Sequence, residues 1–178
     1  LRFLPKPVVK WLIYSRTGDY EMVKIGDRLP DISVFSDDGS IVNLKSLEGQ
    51  KTILYFYPKD NTPGCTNEAV AFEFERSKLE SYGYRVVGVS ADSAESHKNF
   101  KSKYLLGFSL LSDEKKELCE HYGVWVSKRM YGKSYMGIER STFVYDEKGE
   151  LVKIYRKVKP ADHPLELVSD IEKGKLPN

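Results

Sequence analysis

Several residue types are scarce in this sequence, and each shortage closes a class of function. Only two cysteines occur in 178 residues, Cys65 and Cys119. They are too few and too far apart for the disulfide framework of a small secreted scaffold, so a reducing cytosol is the expected compartment. Glu68 stands where a Cys-x-x-Cys motif would place its second thiol, which disfavours a thioredoxin-type disulfide reductase. The three histidines, His97, His121 and His163, are scattered and have no cysteine pair beside them. Zinc ligation therefore has no pattern to rest on, and these residues read as solvated or capping. Neither sign of charge dominates, since 28 Lys and Arg face 26 Asp and Glu for a balance of +2, which argues against a nucleic-acid footprint. No apolar run is long enough to cross a bilayer. Glutamine occurs once, at Gln50, among abundant Lys and Glu, a bias found in thermophile proteins.

What remains is 40% hydrophobic and 30% charged residues, the balance of one soluble globular domain with a core of its own. Residues 1–21 read differently from the rest. An apolar run at 8–14 is interrupted by Lys10 and followed by no small-residue cleavage pattern, so the stretch is expected to be a non-native or fragment-derived leader, or an added packing element, rather than a targeting segment. Regular turn chemistry begins at Met22, which makes 22–178 the expected domain.

From there strands and helices alternate. Residues 32–35 and 41–44 flank Asp37-Asp38-Gly39 as a hairpin. Residues 52–57 form a continuous apolar and aromatic run, the pattern of a central strand covered on both faces, ended by Pro58. A helix is predicted over 66–82 and stops at Gly83. A second buried strand spans 85–90, and Ser93 starts a helix running through Phe100 and Tyr104. A short strand at 108–111 precedes a helix over 114–122, capped by Ser112 or Asp113 and closed by Gly123. A second hairpin, 141–145 with 151–155, turns through residues 146–149, and a last helix covers 164–172. This order predicts an α/β fold with a mixed central sheet and helices on both faces.

In open α/β sheets, sites form beyond the carboxyl ends of strands, where a loop feeds the next helix. Residues 57–68 are such a place, and Cys65 falls at the helix start. Unpaired N–H groups and the positive end of the helix dipole favour a thiolate there. A thiol with pKa ~8.5 is about 3% ionised at pH 7, and one near ~6 is roughly 90% ionised. Thr62 is placed to donate a hydrogen bond to the sulfur or to orient a substrate oxygen, and Pro58 and Pro63 stiffen the loop. Taken singly, these residues have plainer roles: a free cysteine is often a small buried hydrophobe, Thr62 a helix cap and Arg140 a surface ion-pair residue. The Gly132-Lys133-Ser134 triplet lacks the rest of a phosphate loop. Lys128, Arg129 and Lys133, interleaved with Tyr131 and Tyr135, read as a solvated loop.

The run Pro58-Lys59-Asp60-Asn61-Thr62-Pro63-Gly64-Cys65 matches the Pro-x-x-x-Thr-x-x-Cys signature of peroxiredoxins. Tyr55-Phe56-Tyr57 before it, Thr66-Asn67-Glu68-Ala69 after it, and the later blocks Tyr122-Gly123-Val124-Trp125 and Gly137-Ile138-Glu139-Arg140-Ser141-Thr142-Phe143 resemble the Q-type branch, the bacterioferritin comigratory proteins. The resemblance covers residues 22–175. It implies a thioredoxin-like fold and an antioxidant thiol peroxidase that uses no cofactor, neither metal nor haem. Cys65 is then the peroxidatic nucleophile, becoming a sulfenic acid as it reduces hydrogen peroxide or a small organic hydroperoxide. Thr62 and Arg140 hold the peroxide oxygens, Pro58 shields the sulfur, and Glu68 supports the arrangement around Arg140. Thioredoxin, glutaredoxin or a small thiol is the implied reductant. A cytoplasmic monomer or weak homodimer, bound to neither membrane nor nucleic acid, is the expected form.

Many Q-type enzymes place a resolving cysteine five residues after the peroxidatic one, and here that position is Val70. Cys119 shares a predicted helical face with Leu118 and Tyr122, which favours a core role over resolving chemistry. A one-cysteine mechanism with an external thiol is therefore expected. The rival reading is a thioredoxin-fold sensing module in which oxidation of Cys65 changes a partner surface without turnover.

Overall fold

A computed structural model describes residues 22–178; the expected extension at 1–21 lies outside the described residues. The predicted first hairpin forms as β1 (Ser33–Ser36) and β2 (Ile41–Asn43), with a short 3-10 turn, Leu44–Leu47, where the second strand was expected to continue. The apolar run becomes β3 (Lys51–Phe56), buried at every position. It leads into α1 (Pro63–Ser81), β4 (Tyr84–Ser90), α2 (Ala94–Tyr104) and β5 (Ser109–Ser112). After α3 (Glu117–His121) come β6 (Trp125–Met130) and β7 (Lys133–Ile138), then β8 (Ser141–Tyr145), β9 (Leu151–Arg156) and α4 (His163–Glu172).

Seven strands make one mixed sheet in the order β2-β1-β5-β4-β3-β8-β9. The β3–β4 and β4–β5 pairs are parallel, and the pairs to β8, to β9 and within the first hairpin are antiparallel. Alternation along each strand splits the core in two. Ile53, Tyr55, Val86, Leu110 and Val144 face a layer completed by Phe72 and Leu79 of α1, Phe100 of α2 and Leu167 of α4. Leu54, Phe56, Val87, Val89 and Phe143 face the other layer, with Leu118, Cys119 and Tyr122 from α3 and its end. Each large apolar side chain buried this way contributes about 1.5–3 kcal/mol before entropy. Gly88 lies opposite Tyr55 in the β3–β4 register, and a Cβ there would come within 3.0 Å of the Tyr55 ring and 2.8 Å of Leu110. Only glycine leaves room for that ring.

Three sequence expectations need correction. The helix predicted over 114–122 begins at Glu117, because Lys116 takes a left-handed conformation (φ 60°); Asp113 still caps it from upstream, accepting from the N–H groups of Leu118 and Cys119 at 3.2 and 2.8 Å. The expected solvated loop is the β6–β7 hairpin, turning through Tyr131 and Gly132, both at positive φ. It is solvated all the same, with Tyr131 98% exposed. His97 and His163 are not at the surface but buried in the fold. On α1, Phe74 points outward while Cys65, Glu68, Ala69, Phe72 and Leu79 line the inner face. Among the described residues no helix is long and apolar enough to cross a membrane.

Candidate active site

The loop after β3 delivers Cys65 to the first turn of α1. The antiparallel register pairs Phe56, the last residue of β3, with Ser141, the first of β8, so Arg140 arrives beside the same loop although it lies 75 residues later in the chain. Its Nη2 donates to Cys65 Sγ at 3.3 Å, and its Nη1 donates to Glu68 Oε2. Cys65 is 2% exposed and packs in the α1–α4 core layer. Gly64 lies against the guanidinium, where a Cβ would sit in van der Waals contact with Nη2 at 3.4 Å.

Electrostatics tie these groups together. Burial pushes Glu68 up to about 7, outweighing the opposing pull of Arg140. Burial disfavours the Arg140 charge, but Glu68 and Cys65 outweigh it and leave the guanidinium above its ordinary value. The Tyr55 phenol is driven well up by burial and then by Glu68 and Cys65, so it is a neutral donor. Tyr55 Oη and Glu68 Oε1 are buried without a hydrogen-bond partner among the described residues. The Lys128 ammonium, half-buried on β6, is pulled down by burial and by the Arg140 charge.

Thr62 occupies the N-cap position but does not cap. Its Oγ1 donates to Lys59 O at 2.7 Å, which corrects the expectation of a bond to the sulfur: the hydroxyl hydrogen is engaged, and its lone pairs are what it can offer an approaching ligand. Pro58 follows β3 and is half-buried. The position expected for a second helix thiol, Val70, is 45% exposed. Cys119 belongs to the other core layer, across the sheet from Cys65. Burial, with the Asp113 carboxylate adding to it, pushes its thiol far up.

Two residues beside this site, Asp60 and His97, are not among those that the sequence pattern marks as functional. Asp60, in the loop itself, accepts from Tyr57 Oη at 2.6 Å and from Ser96 Oγ at 2.8 Å. It also meets His97 Nδ1 at 2.8 Å. Asp60, Asp92 and His97 offer ligand atoms within 4.8 Å of one another, and Asp60–His97 and Asp60–Asp92 contacts already join these residues. The signal for His97 was its spacing: with Phe100 and Tyr104 it lies on one face of α2.

Comparison with known proteins places this geometry in context. Residues 25–154 match the AhpC/TSA family. Peroxiredoxin Bcp of Bacillus subtilis strain 168 is 44% identical over 150 residues, 84% of this chain and 96% of that protein. Peroxiredoxin Bcp of Escherichia coli K12 is 40% identical over 141 residues, 79% and 90% of the two chains. A solved Xanthomonas campestris Peroxiredoxin Q superposes with a TM-score of 0.76 at 38% identity, covering 82% of this chain and 94% of its own. A bacterioferritin comigratory protein of the same organism, solved to address its alkyl peroxide reduction activity, gives a TM-score of 0.78 at 36% identity, covering 86% and 100%.

Proposed function

This chain belongs to the AhpC/TSA family, in the Bcp (Q-type) branch, and is a peroxiredoxin, a thiol-dependent peroxidase; on that premise we propose that Cys65 is its peroxidatic nucleophile, held by Arg140 and Thr62. The observation that carries the assignment is the 3.3 Å donation from Arg140 Nη2 to Cys65 Sγ. A charged donor at that distance favours the anionic sulfur, the form that attacks a peroxide.

In the reaction the sulfur forms a bond to one peroxide oxygen while the O–O bond breaks. Sulfur is oxidised to the sulfenic acid, and the departing oxygen leaves as water or an alcohol after taking a proton. Negative charge moves from sulfur to that oxygen, so a fixed guanidinium beside both stabilises the transition state more than the resting state. Glu68 holds Arg140 from the inner side. The free lone pairs of Thr62 Oγ1 can accept the hydroperoxide hydrogen, and Pro58 limits access.

Two equivalents of an external thiol complete the cycle. The first displaces water from the sulfenic acid to give a mixed disulfide, and the second releases Cys65 with formation of the external disulfide. The burial of Cys119 in the other core layer supports this one-cysteine route. Hydrogen peroxide and small organic hydroperoxides are the substrate class, with thioredoxin, glutaredoxin or a small thiol as reductant. The setting we assign is antioxidant defence in the cytoplasm, by residues 22–178 acting as a thioredoxin-like domain in a monomer or weak homodimer. The test is peroxide consumption with excess dithiothreitol. Catalytic turnover that vanishes in Cys65→Ser and survives in Cys119→Ser supports the assignment, and turnover that survives in Cys65→Ser refutes it.

A further inference from the structure

The loop from β3 to α1 has exposed residues at Lys59 and Asn61, yet Asp60 between them is 5% exposed. Its carboxylate turns inward and takes Tyr57 Oη on one oxygen at 2.6 Å, and Ser96 Oγ and His97 Nδ1 on the other, each at 2.8 Å. Its backbone N–H donates to Asp92 Oδ2 at 2.9 Å, and Asp92 is in turn held by Ser90 Oγ at 2.5 Å. His97, fully buried, spans the gap to β5 with Nε2 3.0 Å from Leu111 O. A carbonyl only accepts, so Nε2 carries a hydrogen. The loop is thus pinned through the Asp60 carboxylate to α2, and through His97 onward to β5.

That pin acts next to the reacting residues. Lys59, one residue before Asp60, supplies the carbonyl that takes the Thr62 hydroxyl at 2.7 Å. Asn61, one residue after it, holds the left-handed conformation (φ 59°) from which the chain enters α1, a turn state that asparagine readily adopts. Glu68 fixes Arg140 from one side. We propose that the Asp60–His97 pair fixes the sulfur from the other, making both of them positioning residues that set the Cys65–Arg140 contact. The proposal rests on the assignment of Cys65 as the nucleophile. A buried polar group that loses its mate is costly and relaxes by moving. Here the group free to move is the loop, which would carry Lys59, Thr62 and the first turn of α1 away from Arg140.

The experiment uses the full chain and compares Asp60→Asn, His97→Gln and the double variant with wild type and with Leu118→Ala, which opens a cavity in the opposite core layer. Three quantities are read for each: the midpoint of the Cys65 thiol titration followed by thiolate absorbance, the rate of peroxide consumption under excess dithiothreitol, and thermal stability. Expected for both single variants is an upward move of the midpoint and a rate loss of roughly ten- to a hundredfold, the scale of a small misplacement of reacting groups. The double variant should lose no more than the worse single one, because the two act as a unit. Leu118→Ala should lose stability with the titration unmoved. A wild-type midpoint and rate in both single variants, or a stability loss with no move of the midpoint, overturns the proposal. If the single variants do not fold, Ser96→Ala removes one donor from Asp60 and should move the midpoint in the same direction by less; no move refutes the idea. Failure of the underlying assignment is separately visible, as peroxide turnover by Cys65→Ser.

Discussion

Arg140 and Cys65, 75 residues apart in sequence, meet at 3.3 Å because β8 runs antiparallel to β3 and starts where β3 ends. The guanidinium is shared, with one nitrogen on the sulfur and the other on Glu68. Arg140→Lys keeps the charge but not the planar fork, and a single ammonium cannot serve both partners in the same geometry. The expected outcome is a loss of about 10²–10³-fold in the second-order rate with hydrogen peroxide, the usual cost of losing a transition-state donor. Rapid-mixing kinetics under excess peroxide would measure it, and a rate near wild type would remove Arg140 from the mechanism.

Thr62 has its hydroxyl hydrogen on Lys59 O. Thr62→Ser keeps that bond and the lone pairs, and should retain most of the activity. Thr62→Val loses both at nearly constant volume, and a fall of roughly ten- to a hundredfold is expected. Equal rates for the two variants would show that the hydroxyl is dispensable.

Glu68 gives a signed pH dependence. Its pKa is raised from 4.5 to about 7, chiefly by burial. Between those values the folded protein holds a proton that the unfolded chain has released. The residue's contribution to stability is therefore fully present below that window and declines as pH rises through it. Urea unfolding across pH 4.5 to 7 should show wild-type stability falling relative to that of Glu68→Gln, whose side chain does not titrate. A difference that is constant, or that runs the other way, contradicts this reading.

Cys119 is fully buried, and its thiol is pushed far up by burial and by Asp113. A protonated thiol is a poor nucleophile. In the native protein iodoacetamide should therefore label Cys65 and spare Cys119, with both labelled in urea, as peptide mapping would show. Cys119→Ser should leave peroxide turnover unchanged. Native labelling of Cys119 at the rate of Cys65 would contradict its inert role.

The central strands are plain in the sequence because burial on both faces leaves apolar runs at 53–57 and 86–89, and the architecture follows from how they alternate with helices. The β6–β7 hairpin was hidden because it packs little apolar surface: Ser127, Lys128, Arg129 and Ser134 give it the composition of a loop, and its turn uses Tyr131 at positive φ rather than a two-glycine signal. The start of α3 was misplaced because the left-handed Lys116 carries no compositional mark. At the site, Cys65, Thr62, Arg140 and Glu68 stood out through motif spacing. Asp60 and His97 did not, since a buried acid in a polar loop and a lone histidine among Ser, Lys and Asn look solvated until the fold brings them to 2.8 Å.

The most direct measurement is the intact mass of the full chain after one equivalent of hydrogen peroxide, with dimedone present to trap sulfenic acid, for wild type, Cys65→Ser and Cys119→Ser. The account predicts one dimedone adduct on wild type and on Cys119→Ser, none on Cys65→Ser, and no chain carrying an internal disulfide. An adduct on Cys65→Ser, or a wild-type chain lighter by two hydrogens through a Cys65–Cys119 bond, would contradict it.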